Sequence, residues 1–261
     1  MNKSKIAAQL YSFRDFIKTP EDVEDTFHKL HDMGYEAVQL SSSLAPMPEE
    51  QLANLLKKYG LVPCSSHEQA ARIVNETEDV IAHLKKLGVT HAAYPAPHLS
   101  PNTRKEVIRL AKTLNDRAVQ FAEAGIELAY HNHSAEFVKF DGRLFLELIY
   151  ENAPCLKSEL DTYWIQHGGC CPVEWILRMK NRMQVLHIKD FAKIRKDPEA
   201  FWNVESVMAP VGDGNLNWKD IFKAADESGV EWYVVEHDGN CPDPFESFGR
   251  SMKYLTEHFF Q

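Results

Sequence analysis

MGYEAVQL (33–40), YGLVPCSS (59–66), LGVTHAAY (87–94), AGIELAYH (124–131) and SGVEWYVV (228–235) are five versions of one phrase. In each, the end of an amphipathic helix meets a glycine, and a short run rich in β-branched or aromatic residues follows. A helix C-terminus favours glycine because the capping residue adopts positive φ, and the apolar run that follows has the length and composition of a buried strand. Gly34, Gly60, Gly88, Gly125 and Gly229 are therefore read as helix ends. Helix starts are marked by Thr19-Pro20-Glu21-Asp22 and by Ser100-Pro101, where a capping oxygen precedes a proline at the first helical position. Apolar positions such as Val23, Phe27 and Leu30 recur at helical spacing after the first of these.

Extending this reading along the chain predicts eight strands, at 6–13, 37–42, 62–67, 91–96, 126–133, 156–162, 185–190 and 232–238, each followed by a helical pattern. Eight strand–helix units in 261 residues, 44% of them hydrophobic, predict an α/β chain folded as one (β/α)8 barrel spanning 1–261. A doubly wound sheet would carry a glycine-rich turn after its first strand, where Gln9-Leu10-Tyr11-Ser12-Phe13 stands instead. One long irregular insertion, 191–212, follows the seventh strand and is read as a wall or lid of the active site.

Composition excludes several classes. A net charge of -9 argues against a nucleic-acid partner, whose binding draws on Lys and Arg to displace counterions. No segment approaches the ~18 consecutive apolar residues of a membrane span, and MNKSKIAAQLYSFRD lacks the apolar core of a secretory signal, so no membrane and a cytoplasmic location are expected. Cys64, Cys155, Cys170, Cys171 and Cys241 are odd in number and without C-x-x-C spacing, which predicts reduced thiols and no thiolate zinc site.

In such a barrel the C-terminal ends of the strands carry the chemistry. Strand five ends in Tyr130-His131-Asn132-His133-Ser134-Ala135-Glu136, strand six in Glu159-Leu160-Asp161-Thr162, strand seven in His187-Ile188-Lys189-Asp190 and strand eight in Glu236-His237-Asp238. Glu136, Asp161, His187 and Glu236 offer three carboxylates and an imidazole, a mixed shell for one divalent metal: Mn2+, Mg2+, Co2+, Zn2+ or Fe2+. Their separations of 25, 26 and 49 residues equal one barrel unit, one unit, and one unit plus the insertion. His131 and His133 alternate on one face of the fifth strand and compete with Glu136 as ligand or base. Lys189 shares a face with His187 and is read either as a donor to a developing oxyanion or as a salt-bridge partner of Asp190 or Glu159. His67, Tyr11 and Gln39 at earlier strand ends, with Trp164, are the candidate substrate contacts; Phe13 and Trp202 are further aromatic candidates for a sugar face.

At these residues the chain resembles the sugar phosphate isomerase/epimerase superfamily, the xylose isomerase-like barrels, over essentially its whole length. The phrases that carry the likeness are His131–Phe137, Leu160–Trp164, Leu186–Asp190, Pro210–Trp218 and Val235–Asp238. The resemblance implies one divalent metal, most often manganese, held by Glu, Asp, His and Glu at the ends of strands five to eight. Asp161, His187 and Glu236 match directly. Aligning ketose 3-epimerases through Asn132 places their strand-five glutamate at Ala129, which leaves Glu136 or a histidine for that role, and their histidine after D-T-x is Trp164 here.

The expected chemistry is proton abstraction next to a carbonyl of a ketose or keto-sugar, with a metal-stabilised ene-diolate and Glu236, Glu136, His131 or His133 as base: an isomerase or epimerase. A lyase acting on a keto-inositol or keto-glycoside uses the same enolate and is the alternative, and a metal-free sugar-binding barrel is the non-enzyme reading. The expected partner is a small sugar or polyol. A homo-oligomer is compatible with the sequence.

Overall fold

In a computed structural model the chain is described at residues 1–239, 241 and 243–261. Eight parallel strands close into a barrel: β1 (Ile6–Gln9), β2 (Ala37–Ser41), β3 (Val62–His67), β4 (His91–Tyr94), β5 (Glu127–His131), β6 (Lys157–Asp161), β7 (Val185–Ile188) and β8 (Trp232–Val235). Each strand pairs with its neighbours in sequence order, and β8 closes on β1 through Ile6–Tyr233, Ala7–Val234 and Ala8–Val235.

All eight expected strands are present, and most end two or more residues early. β1 stops at Gln9 and the chain turns into a 3-10 helix over Leu10–Phe13, because the Gln9 side chain accepts the Tyr11 N–H and draws the backbone round. Gly88 and Gly229 cap their helices in the left-handed region, at φ +71° and +82°, where a β-carbon would strain the backbone. Thr19 forms the expected capping box with Asp22. The start foreseen at Ser100-Pro101 lies three residues further on, where Thr103 and Glu106 exchange side-chain to backbone hydrogen bonds at the head of the helix Arg104–Glu123. The insertion after β7 is not irregular: Asp190–Arg195 and Val204–Ala209 pair as an antiparallel hairpin. Alternating residues of equal register satisfy the backbone there.

Period-two alternation sorts the strand residues into two environments. Ile6, Ala8, Val38, Leu40, Leu128, Tyr130, Leu160, Leu186, Ile188, Tyr233 and Val235 point outward into the main core beneath the helices. Ala7, Ala37, Cys64, Val185 and Val234 form a second, smaller cluster inside the barrel. One strand step above that plug, every inward residue of the β1–β3 and β5–β8 strands is polar, which sets the chemistry at the C-terminal mouth.

Candidate active site

The polar layer consists of Gln9, Gln39, Ser65, His67, His131, Glu159, Asp161, His187, Lys189 and Glu236, all at most 8% exposed. Within it, His131, Asp161, His187 and Glu236 each present a ligand atom within 4.8 Å of the others. His187 Nδ1 lies 2.9 Å from Glu236 Oε2 and 3.9 Å from Asp161 Oδ2. Lys189 Nζ touches Glu236 Oε2 at 2.9 Å, Asp238 Oδ1 at 3.1 Å and Asp161 Oδ2 at 3.3 Å. Asp161 anchors itself by accepting the Trp164 N–H at 3.0 Å on its other oxygen, capping the helix Thr162–His167.

Three of the four expected ligands thus come together, and the fourth does not. Glu136 sits in a 3-10 turn, Ser134–Phe137, where one carboxylate oxygen accepts the Tyr130 hydroxyl at 3.0 Å and the other the His133 N–H at 2.9 Å. Tyr130 is an outward residue of β5, so its hydroxyl draws Glu136 into the layer between barrel and helices, away from the lumen. The strand-five residue that reaches the cluster is His131. Ala129, inward on the same strand, has no side chain to contribute.

Of the other expected contacts, Gln39 and His67 are buried in the polar layer. His67 Nε2 lies 2.5 Å from Glu159 Oε1, and its ring stacks on His187 at 5.1 Å between centroids. His133 and Trp164 line the approach: their rings are 5.4 Å apart, and Lys189 Nζ lies 5.2 Å from the Trp164 ring centroid. Tyr11 is 41% exposed and packs against the Arg14 guanidinium. Phe13 is not a sugar platform. It is fully buried against Phe245 and Phe248. Trp202, 88% exposed, stands on Phe201 at the tip of the hairpin.

Lys189 pairs with Asp161, Glu236 and Asp238 instead of Asp190 or Glu159. Asp190 faces the other way, accepting N–H groups of Phe191, Gly212, Gly214 and Leu216 and the Trp218 indole at 2.7 Å, which fixes the loop 210–218. Glu159 and Asp238 are the members of the cluster that sequence reasoning left without a site role. Glu159 shares a strand face with Asp161, so period two is its signal; Asp238 lies beyond the end of β8, two residues past Glu236, where alternation gives none.

Burial raises the Asp161 carboxyl to about 6 despite the nearby Lys189. Burial also acts against the charge on Glu236, but Lys189 and His187 outweigh it and hold this carboxyl well below the ordinary range. Burial would discharge His187, yet Glu159 and Glu236 together push it up to about 10. His133 is pushed down to about 4 by burial, then by Lys189.

The donor set fits a divalent cation. His131 Nδ1 is buried with no hydrogen-bond partner, and Asp161 Oδ2 meets only the Lys189 ammonium at 3.3 Å, which leaves both atoms able to meet an ion. Three carboxylates, Asp161, Glu236 and Asp238, surround a single lysine, and an excess of negative charge at a buried site costs several kcal/mol per ion unless a cation offsets it.

A family profile described as xylose isomerase-like TIM barrel matches residues 27–258, and the chain belongs to that family. An inosose dehydratase of Clostridium perfringens is 26% identical over 160 residues, 57% of this chain and 53% of that protein. The chain thus spans about half the length of the curated relatives it matches. A sugar phosphate isomerase/epimerase from Parabacteroides distasonis superimposes with a TM-score of 0.83 at 23% identity, covering 100% of this chain and 96% of that one. An L-ribulose 3-epimerase superimposes with a TM-score of 0.72 at 17% identity, over 97% and 93% of the two chains. These two likenesses establish the barrel. Among the described residues no helix is long and apolar enough to cross a membrane.

Proposed function

We propose that the protein is a divalent-metal-dependent enzyme that removes the proton next to the carbonyl of a ketose or keto-sugar and returns it elsewhere, as an isomerase or epimerase does. The observation that supports this most is the buried set of His131, Asp161, His187 and Glu236 with Lys189 between its carboxylates, at the mouth where barrel enzymes carry their chemistry. Asp161, His187, Glu236 and His131 would hold the metal. When bound, a divalent ion acts as a Lewis acid on a carbonyl and its adjacent hydroxyl oxygen, and Mn2+ and Mg2+ suit this oxygen-rich shell.

The chain's own residues supply the rest. Lys189, kept charged by three carboxylates, lies where its field favours negative charge growing on the substrate oxygen. His133 is half-buried at the edge of the cluster with its ring neutral; it has a lone pair to offer, but burial and Lys189 disfavour its protonated form and make it a weak base. Glu236 is a weaker base, because Lys189 and His187 stabilise its charged form. The Trp164 ring, beside His133 and Lys189, offers an apolar face to a sugar ring and keeps water from the proton in transit.

A second reading, elimination of a β-hydroxyl or glycosyl group from the same enolate, is favoured by two observations. The curated relatives, that of Clostridium perfringens among them, are inosose dehydratases, and Ala129 leaves the lumen without a strand-five carboxylate that could act as a second base on the opposite face. Incubation of metal-loaded protein with ketohexoses, keto-inositols and 3-keto-glycosides in D2O separates the two. Deuterium in intact substrate or its isomer supports isomerisation; a dehydrated or cleaved product supports the lyase. Neither with any of the three classes refutes the proposal.

A further inference from the structure

The hydrogen bonds behind His187 have only one consistent assignment of donors and acceptors. Gln39 donates through Nε2 to Ser65 Oγ at 3.0 Å and to Glu159 Oε2 at 2.9 Å, so its other terminal atom is the carbonyl oxygen. That oxygen accepts from Gln9 Nε2 and faces His187 Nε2 at 2.7 Å. Glu159 Oε1 faces the same His187 nitrogen at 3.1 Å. Two acceptors converge on Nε2, so Nε2 carries a proton. His187 Nδ1 faces Glu236 Oε2 at 2.9 Å and Asp161 Oδ2 at 3.9 Å, so without an ion it too donates; a cation held by those carboxylates would take the place of that proton and meet the Nδ1 lone pair, while Nε2 keeps its own proton.

We infer that Glu159 is a positioning residue: with Gln39 it pins the proton of His187 to Nε2 and thereby presents Nδ1 to the cation held with Asp161 and Glu236. The inference rests on the proposed metal site and deepens it. Glu159 is fully buried, and its position is over-determined. It also meets His67 Nε2 at 2.5 Å, so one carboxylate orients two imidazoles of the site floor, His67 and His187, and lies 3.6 Å from a third, His131. A carboxylate behind a metal-bound histidine both selects the ring nitrogen and raises the ligand's basicity, and its loss commonly lowers metal affinity by about 10–100-fold.

The Glu159→Gln variant keeps the volume and changes the logic. An amide that still accepts from Gln39 must turn its NH2 toward the histidines, where a donor facing His187 Nε2 drives the proton to Nδ1 and blocks the ligand position. Zn2+ titration by calorimetry, with 15N-histidine NMR of the Zn2+-loaded protein, reads both effects. The wild type is expected to bind one equivalent, with His187 coordinated through Nδ1 and protonated on Nε2. Glu159→Gln, checked for native circular dichroism, is expected to bind about 10–100-fold more weakly, and Glu159→Asp to recover part of the loss. A folded Glu159→Gln protein within twofold of wild-type affinity overturns the inference, as does coordination through Nε2. A wild type that binds two equivalents, one of which Glu159→Gln loses, makes Glu159 a ligand and also overturns it. No Zn2+ binding by the wild type sinks the metal site itself.

Discussion

Replacing Lys189 with methionine tests how the cluster balances its charge. Lys189 is completely buried, and its ammonium lies within 3.3 Å of three carboxylates, Asp161, Glu236 and Asp238. Methionine fills the stem's space and leaves those carboxylates without their shared cation. Removing one partner from a buried ion pair costs about 3–5 kcal/mol, because the remaining charge is neither solvated nor paired. For a chain of this size each kcal/mol is worth roughly 2–4 °C in Tm, so the ion-free variant should melt about 6–20 °C below the wild type. The same change makes the cavity more negative. A divalent cation should therefore stabilise Lys189→Met by more degrees than it stabilises the wild type. Differential scanning fluorimetry in EDTA and in saturating Mn2+ measures both differences. A fall in Tm under 2 °C in EDTA, or an Mn2+-induced rise no larger than that of the wild type, would refute the reasoning.

Three further outcomes follow from the same geometry. Glu136→Gln should leave Mn2+ affinity within about twofold while costing about 1 kcal/mol of stability, because the carboxylate serves Tyr130 and the His133 N–H outside the lumen; a tenfold loss of affinity would restore it as a ligand. Asp161→Asn should abolish Mn2+-induced stabilisation at pH 7.5 and raise the Tm of ion-free protein there. Burial lifts this carboxyl to about 6, so the folded state holds its proton more tightly than the unfolded chain. Its ionisation therefore costs stability as pH rises from about 4 to about 6, and the advantage of asparagine should vanish near pH 4 in a melting series. Gly214→Ala should lower Tm by several degrees, since an added β-carbon would fall 2.2 Å from Asp190 Oδ1 and 2.7 Å from the Phe191 carbonyl. An unchanged Tm would mean the loop 210–218 tolerates release from Asp190.

The sequence by itself determined the barrel and three of its strand-end groups. Helix, glycine and apolar run repeat along the chain, and local propensity with period two is enough to count eight strands and to place Asp161, His187 and Glu236 at the ends of three that are neighbours in sequence. These features need only local geometry and chain order. What tertiary structure decided was where each side chain points once its strand has ended. Glu136 lies five residues beyond a lumen-facing His131, past the alternation that could predict its direction, and an outward tyrosine hydroxyl claims it. The charge partners of Lys189 follow likewise from the stagger between strands: Glu236 and Asp238 lie 47 and 49 residues away and meet it only because β7 and β8 are adjacent. The same stagger brings Gln39 of β2 and Glu159 of β6 across the lumen to one nitrogen of His187. No spacing along the chain encodes that meeting, because it depends on the tilt and closure of all eight strands together.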